Sequence, residues 1–329
     1  MKQNLKENKE EKMTEAYIID AARTPRGIGK LGKGSLSEFH PGRLLATVLE
    51  EIQKRNDLVT QDIDDVVIGC SSHVGKQGSC VGRMAALDAG WDTSASAVTL
   101  DRFCGSGITS VNLAAANIMS GMDDLCVAGG VEMMSYTATL TSERNNRTVD
   151  GGNLHLREIH PQPHQGICAD LIATLEGFSR EELDALAVES QNRAQQAIAE
   201  GRFDRSLITV KNEDGSIALD REEFPRPGTT LDTLASLPTV FSEFMPTPVD
   251  DGGETFTELV ARRYPDLEIN HVHHAGNSSG VVDGAAALVL SSKDYADKAG
   301  WKPRARIKAM ATVGGDPTVM RNEPVPAAR

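Results

Sequence analysis

The sequence predicts an α/β fold in which a mostly parallel sheet carries helices and is interrupted by a long insertion. Three observations predict it. Between residues 16 and 135, short β-branched apolar runs alternate with segments of helical spacing, the signature of βαβ units. From about residue 136 to 269 the composition turns polar and rich in Pro and Gly. Strand-like runs return only at residues 284–291 (GAAALVLS) and 304–313 (RARIKAMATV).

The 329 residues have room for about two domains. With 34 Lys+Arg against 47 Asp+Glu, the net charge of −13 argues against a nucleic-acid-coating surface. Apolar residues make up 40%, enough for a real core, but runs such as 285–290 are too short to span a bilayer. No membrane or nucleic-acid partner is therefore expected. The five cysteines are scattered and form no CxxC pair, which argues against a disulfide framework or a cysteine-rich zinc site. A cytoplasmic location follows as an expectation. Residues 1–12 (MKQNLKENKEEK) are charged and lack the apolar stretch of a signal peptide, so they read as a disordered tail.

In order, residues 16–20 (AYIID) read as a strand and 21–35 as a loop rich in Gly, Arg and Lys. Leu44, Leu45, Val48, Leu49 and Ile52 give residues 39–56 a helical stripe. Residues 65–70 form a second strand, 81–89 a helix, 97–100 a third strand and 124–130 a fourth. Residues 108–120 are small and apolar on nearly every face, as in a helix buried between layers. Inside the insertion one helix stands out. Ser179 and Glu182 make a capping box, Leu183, Leu186, Ala187, Ser190, Ala194, Ala197 and Ile198 share a face, and Gly201 is the stop.

Three constellations could carry chemistry. The stretch from Gly27 through Gly29 to Gly32 matches GxGxxG, but it lies seven residues beyond its strand and no acidic residue ends the next strand. It therefore reads as a basic loop rather than a dinucleotide site. His160 and His164, and the group His271, His273 and His274, invite a metal reading. Pro161 and Pro163 forbid the helix that would align the first pair, and ordinary loop histidines are the better reading, so no metal is expected. Cys104 differs. It stands between a strand and a helix in Arg102-Phe-Cys-Gly-Ser-Gly107, where the N–H groups and positive dipole end of a helix favour a thiolate. Gly105 and Gly107 allow close approach of a substrate. From context alone a nucleophile and a small buried hydrophobe are about equally good readings of Cys104. The second suits Cys70 and Cys126, within apolar strands, better.

Taken together, several segments resemble the thiolase family of acetyl-CoA acetyltransferases and 3-ketoacyl-CoA thiolases. They are Ala21-Ala-Arg-Thr-Pro25, Cys104-Gly-Ser-Gly107, Ala128-Gly-Gly-Val-Glu-Met-Met-Ser135, Ser190-Gln-Asn-Arg-Ala194 with Gly201-Arg-Phe203, Arg226-Pro-Gly-Thr-Thr230, Ala275-Gly-Asn-Ser-Ser-Gly280 and Asp283-Gly-Ala-Ala286. The resemblance implies a layered αβαβα fold of two similar halves with an inserted loop domain. Residues 13–135 and 270–295 would be the N-terminal half, 136–269 the CoA-binding loop domain, and 296–329 the start of a second half that is largely missing. It also implies acyl transfer between CoA thioesters through a cysteine thioester on Cys104. His164 would line the pantetheine tunnel, Arg226 would lie near the CoA nucleotide and Ser279 near the pantetheine amide. Coenzyme A or acetyl-CoA enters as substrate, with no tightly bound cofactor.

The family completes its site with an Asn in NEAFA, a His in GHPxG and a second Cys in CxG, and none of these follows residue 313. Proton transfer at the acetyl carbon is worth about 10²–10⁴ in rate, so impaired turnover is the expectation. Apolar helix faces that in the family pack on the second half would be exposed, which predicts poor solubility or dependence on a partner, whether a second copy in a dimer or a complementing subunit. The alternative reading is a non-catalytic CoA-binding or assembly subunit completed by that partner.

Overall fold

The computed structural model describes residues 14–140, 149–250 and 252–329, so the tail expected at 1–12 lies outside the described residues. The chain divides into two units. One runs up to Ser135 and takes in Asp204–Glu223 and Val282–Met310; the other comprises Tyr136–Phe203, Phe224–Val281 and Ala311–Arg329.

The first unit is built on a seven-stranded sheet and also holds a two-stranded pair, Val210–Lys211 with Ile217–Leu219. In chain order it contains β1 (Ala16–Arg23), β2 (Gly27–Ile28), α1 (Pro41–Asn56), β3 (Asp65–Gly69), α2 (Val81–Asp88), β4 (Ser96–Leu100), α3 (Ser106–Ser120), β5 (Leu125–Met133), β6 (Val282–Ser292) and β7 (Ala305–Arg306). The strand order is β4-β3-β5-β6-β1-β7, with β2 also paired to β6. Strand β3 pairs in parallel with β4 and β5, as the helical crossovers α2 and α3 require. The sheet is nevertheless mixed rather than mostly parallel, because β6 runs antiparallel to both β5 and β1. It reaches its slot after a long excursion and not through a crossover helix.

Two boundaries differ from the sequence reading for reasons of pairing. Strand β1 continues through Arg23, since Ala21, Ala22 and Arg23 find partners in Leu288, Ala287 and Ala286. The run 304–313 is strand only at Ala305–Arg306. It pairs with the start of β1, and after the Ile307 N–H reaches the Ala16 carbonyl no more of β1 remains to pair with.

The helix α3 is not buried on every side. Ala114, Ala115 and Ile118 pack on Val67, Cys126, Ala128 and Leu290 of the sheet, while Ile108 is 72% and Leu113 46% exposed. Small residues at this contact let helix and sheet approach closely. Gly129 of β5 is the tightest point among the strand glycines, as an added Cβ would stand 2.0 Å from the Ala286 carbonyl oxygen of β6.

The second unit holds α4 (Gln165–Glu176) and α5 (Arg180–Ala199), with shorter helices at Leu154–Ile159, Leu231–Ala235 and Phe256–Ala261. Where the sequence suggested one helix, α4 adds a second of twelve residues, capped by His164 immediately after the two prolines. Ile167, Val249, Phe256, Leu259 and Val260 form a core. The capping box of α5 is present, and Gly201 takes the left-handed conformation at φ +64°. The expected apolar face of α5 is not buried, however. Leu186 is 69% exposed, and the one buried residue of the helix is Asp184. A charge anchors this helix, as described below. Among the described residues, no helix is long and apolar enough to cross a membrane.

Gly129→Ala should lower the unfolding free energy by about 1–3 kcal/mol, the usual cost of overpacking. Urea denaturation measures this, and an unchanged midpoint would show that β5 and β6 are not in close contact there.

Candidate active site

Cys104 sits on a tight turn between β4 and α3. Phe103 precedes it at φ +48°, a left-handed conformation that bulky side chains disfavour. Hydrogen bonds hold the turn there. The Phe103 N–H donates to Asp101 Oδ1 at 2.6 Å, and the Gly105 N–H to the Arg102 carbonyl at 3.0 Å. The buried Ser106 hydroxyl accepts from the Arg102 N–H at 2.9 Å and donates to the Phe103 carbonyl at 2.6 Å. Ser106 thus locks the turn from inside, and Cys104 is left exposed.

Glycines set the height of this turn above the sheet. A Cβ on Gly69, the last residue of β3, would come within 2.5 Å of the Ser106 carbonyl carbon and 2.8 Å of the Gly107 nitrogen. One on Gly130 would stand 2.9 Å from the Gly69 carbonyl oxygen. Ser110 then ties α3 to β5 by donating to the Gly129 carbonyl at 2.8 Å. Nothing lies within 4 Å of a Cβ built on Gly107, so the helix start beside the thiol is open.

The buried cysteines are poor nucleophiles. Cys70 and Cys168 are buried, and burial pushes both thiols up to about 12, with the Glu132 carboxylate adding to the effect at Cys70. Burial likewise raises the Cys126 thiol. Half-buried Cys80 accepts a hydrogen bond from the Thr99 hydroxyl at 3.6 Å.

The Gly27–Gly32 loop is already filled. Glu223 accepts from the Ile28 N–H at 2.8 Å, the Ser35 N–H at 3.2 Å and the Ser35 hydroxyl at 2.7 Å. Burial works against its ionisation, but these hydrogen bonds prevail and hold the carboxyl below the usual glutamate range. The donors that a phosphate would need therefore hold a carboxylate.

The structure places the remaining candidate residues in the second unit. His164 caps α4, its Nδ1 accepting from the Gly166 N–H at 3.1 Å, which leaves the ring proton on Nε2. Its ring stacks on Phe244 with centroids 5.1 Å apart. Burial, then the nearby Arg321, lowers its pKa and keeps it neutral at pH 7. Arg226 is exposed in a turn, and among the described residues no carboxylate lies within 4.0 Å of it. Its N–H donates to Gln191 Oε1 at 2.9 Å. Ser279 is exposed in the loop after His274. A Cβ on its neighbour Gly280 would stand 2.5 Å from the Phe224 ring, so this loop lies against the segment that leads to Arg226.

Two buried aspartates that sequence reasoning missed hold this loop. Asp170 of α4 accepts from Nδ1 of both His271 and His273 at 2.7 Å, and from the N–H groups of Val272 and His273 at 3.1 and 3.0 Å. Asp184 of α5 accepts from His274 Nε2 at 2.8 Å and Asn277 Nδ2 at 3.0 Å. His271, His273 and His274 are thus carboxylate partners, ordinary structural histidines of a loop. A signal was present in the sequence: His271 and His273 flank Val272, and alternate residues of an extended segment face the same side. Among the described residues, no group of three or more His, Cys, Asp or Glu is arranged to hold a metal ion.

Comparison with known proteins gives a consistent picture. Residues 16–247 match the family described as thiolase, N-terminal domain. A β-ketoadipyl-CoA thiolase of Escherichia coli is 37% identical over 334 residues, covering 96% of this chain and 76% of the relative. A 3-ketoacyl-CoA thiolase of Bacillus subtilis is 34% identical, covering 96% and 75%. The crystal structure of the Bacillus anthracis acetyl-CoA acetyltransferase superposes with a TM-score of 0.74 at 28% identity, covering 96% of this chain and 75% of that one.

Burial raises the Asp170 pKa, but the hydrogen bonds from His273, His271 and the two backbone N–H groups outweigh it and hold the carboxyl below the usual range. Its contribution to stability is therefore complete above about pH 4 and is lost as pH falls through the depressed value. Asp170→Asn should cost about 2–3 kcal/mol at pH 7. Urea unfolding should show the difference shrinking in acid, and a difference independent of pH would refute the assignment.

Proposed function

The chain belongs to the thiolase family, and we propose that it moves acyl groups between coenzyme A thioesters through a covalent thioester on Cys104. The observation that carries this reading is the Cys104 turn: an exposed thiol, fixed by Ser106 at an open helix start, where the buried cysteines are unreactive.

In the thiolytic direction the Cys104 sulfur attacks the 3-oxo carbon of a 3-oxoacyl-CoA. The bond between C2 and C3 breaks, C2 takes a proton, and acetyl-CoA departs. The acyl group left on sulfur then passes to the thiol of a second CoA, which gives up its proton as Cys104 is released. Backbone N–H groups in the first turn of α3 are suited to stabilise the oxyanion formed at each attack.

The loop domain expected at residues 136–269, with the loop that follows, would bind CoA. The Arg226 guanidinium meets phosphate, His164 Nε2–H and the Ser279 hydroxyl meet the pantetheine amides, and the cation matters because the protein as a whole repels anions at −13. Relatives named for β-ketoadipyl-CoA and 3-ketoacyl-CoA point to a 3-oxoacyl-CoA substrate. Five free thiols support a reducing, cytoplasmic setting.

Thiolysis of acetoacetyl-CoA tests the reading. Cys104→Ala should reduce turnover by at least about 10³-fold, while Cys80→Ala retains it. Arg226→Ala should weaken CoA binding about tenfold, the effect of losing one charge-assisted contact, and leave kcat little changed. CoA binding without turnover in the unaltered protein would favour a non-catalytic CoA-binding or assembly subunit.

A further inference from the structure

The first unit carries a cationic cavity that the acyl-transfer reading does not use. It encloses about 370 Å³ and is lined by Asp20, Arg55, Arg205, Trp301, Lys302 and Arg304, among others. Four cations face one carboxylate in a protein whose net charge is −13. The cavity lies far from Cys104. Arg55 ends α1, which returns the chain to the sheet edge where β3 starts, whereas Cys104 follows the edge where the parallel strand β4 ends.

The cations fall into two kinds. Arg55 and Arg304 are fixed. Arg55 pairs with Glu51 at 2.8 Å and donates to the Arg205 carbonyl at 2.8 Å, and Arg304 donates to Asp20 Oδ1 at 2.8 Å. Asn56 also donates to Asp20, at 3.3 Å, so the single carboxylate of the cavity is already shared. Arg205 and Lys302 are exposed, and among the described residues neither has a carboxylate within 4.0 Å. Two positioned guanidinium groups beside two uncommitted cations suit a compact group with several anionic oxygens. An adjoining cavity of about 470 Å³ shares Arg55, Asn56 and Trp301, which leaves room for the remainder of a ligand along the Trp301 ring.

We propose that this cavity binds a phosphate-bearing small molecule, a phosphomonoester or pyrophosphate anion, through Arg205 and Lys302 with Arg55 and Arg304 as the fixed wall. The inference does not rest on the role assigned to Cys104.

Calorimetric titration of the full chain with inorganic pyrophosphate, at low and at physiological salt, tests it. Binding should be saturable and weaken with salt. The exposed double variant Arg205→Ala/Lys302→Ala should bind at least about tenfold more weakly with an unchanged thermal midpoint. Lys211→Ala, which removes an exposed cation outside the cavity lining, should bind as the unaltered protein does. Absence of saturable binding, or equal affinity in the double variant, would overturn the proposal. A loss in Lys211→Ala equal to that in the double variant would also overturn it, by assigning the binding to general surface charge rather than to the cavity.

Discussion

The close approach of α3 to the ends of β3 and β5 is the constraint on which the first unit depends. Gly69 and Gly130 leave no room for side chains, so the helix start rests directly on peptide groups of the sheet. That seat fixes where α3 begins, and the Ser106 hydroxyl then fixes the turn before it. Phe103 accepts an unfavourable backbone conformation because the hydrogen bonds around it leave no alternative. The exposed position of Cys104 is the outcome of these contacts.

The second unit is organised by a different principle. Its apolar core gathers around Phe256 and Ile167, but the segment carrying Ser279 is held by charge. Asp170 and Asp184 reach it from two helices, and His274 offers a tautomer fixed by the Gly276 N–H on Nδ1. Buried carboxylates with several donors each specify one register of the bound segment, because a shift of one residue would strand a charge away from water.

Much of this was legible in the sequence. The strands of the first unit announce themselves as β-branched runs, the α5 start as Ser179 and Glu182, and the turn that carries Cys104 by its place between strand and helix. What was hidden has physical causes. The helix α4 follows two prolines, and its cap is a histidine rather than the usual Ser, Thr, Asp or Asn. The stripe on α5 suggested an apolar contact where Asp184 makes a polar one, since periodicity records hydrophobicity but not a partner elsewhere in the chain. The length of β7 depends on where β1 starts, a fact about pairing that no local pattern contains.

The position of β6 has a consequence for how the protein is made. It fills the slot between β5 and β1, yet its residues follow the segments Tyr136–Phe203 and Phe224–Val281 in the chain. At ordinary rates of synthesis the ribosome adds it roughly 7–30 s after β5. During that interval the inner edges of β5 and β1 have no strand between them, and Leu125–Val131 offers an apolar edge with unpaired peptide groups. The nascent chain is thus most vulnerable to misassociation at the strand pair that β6 later joins.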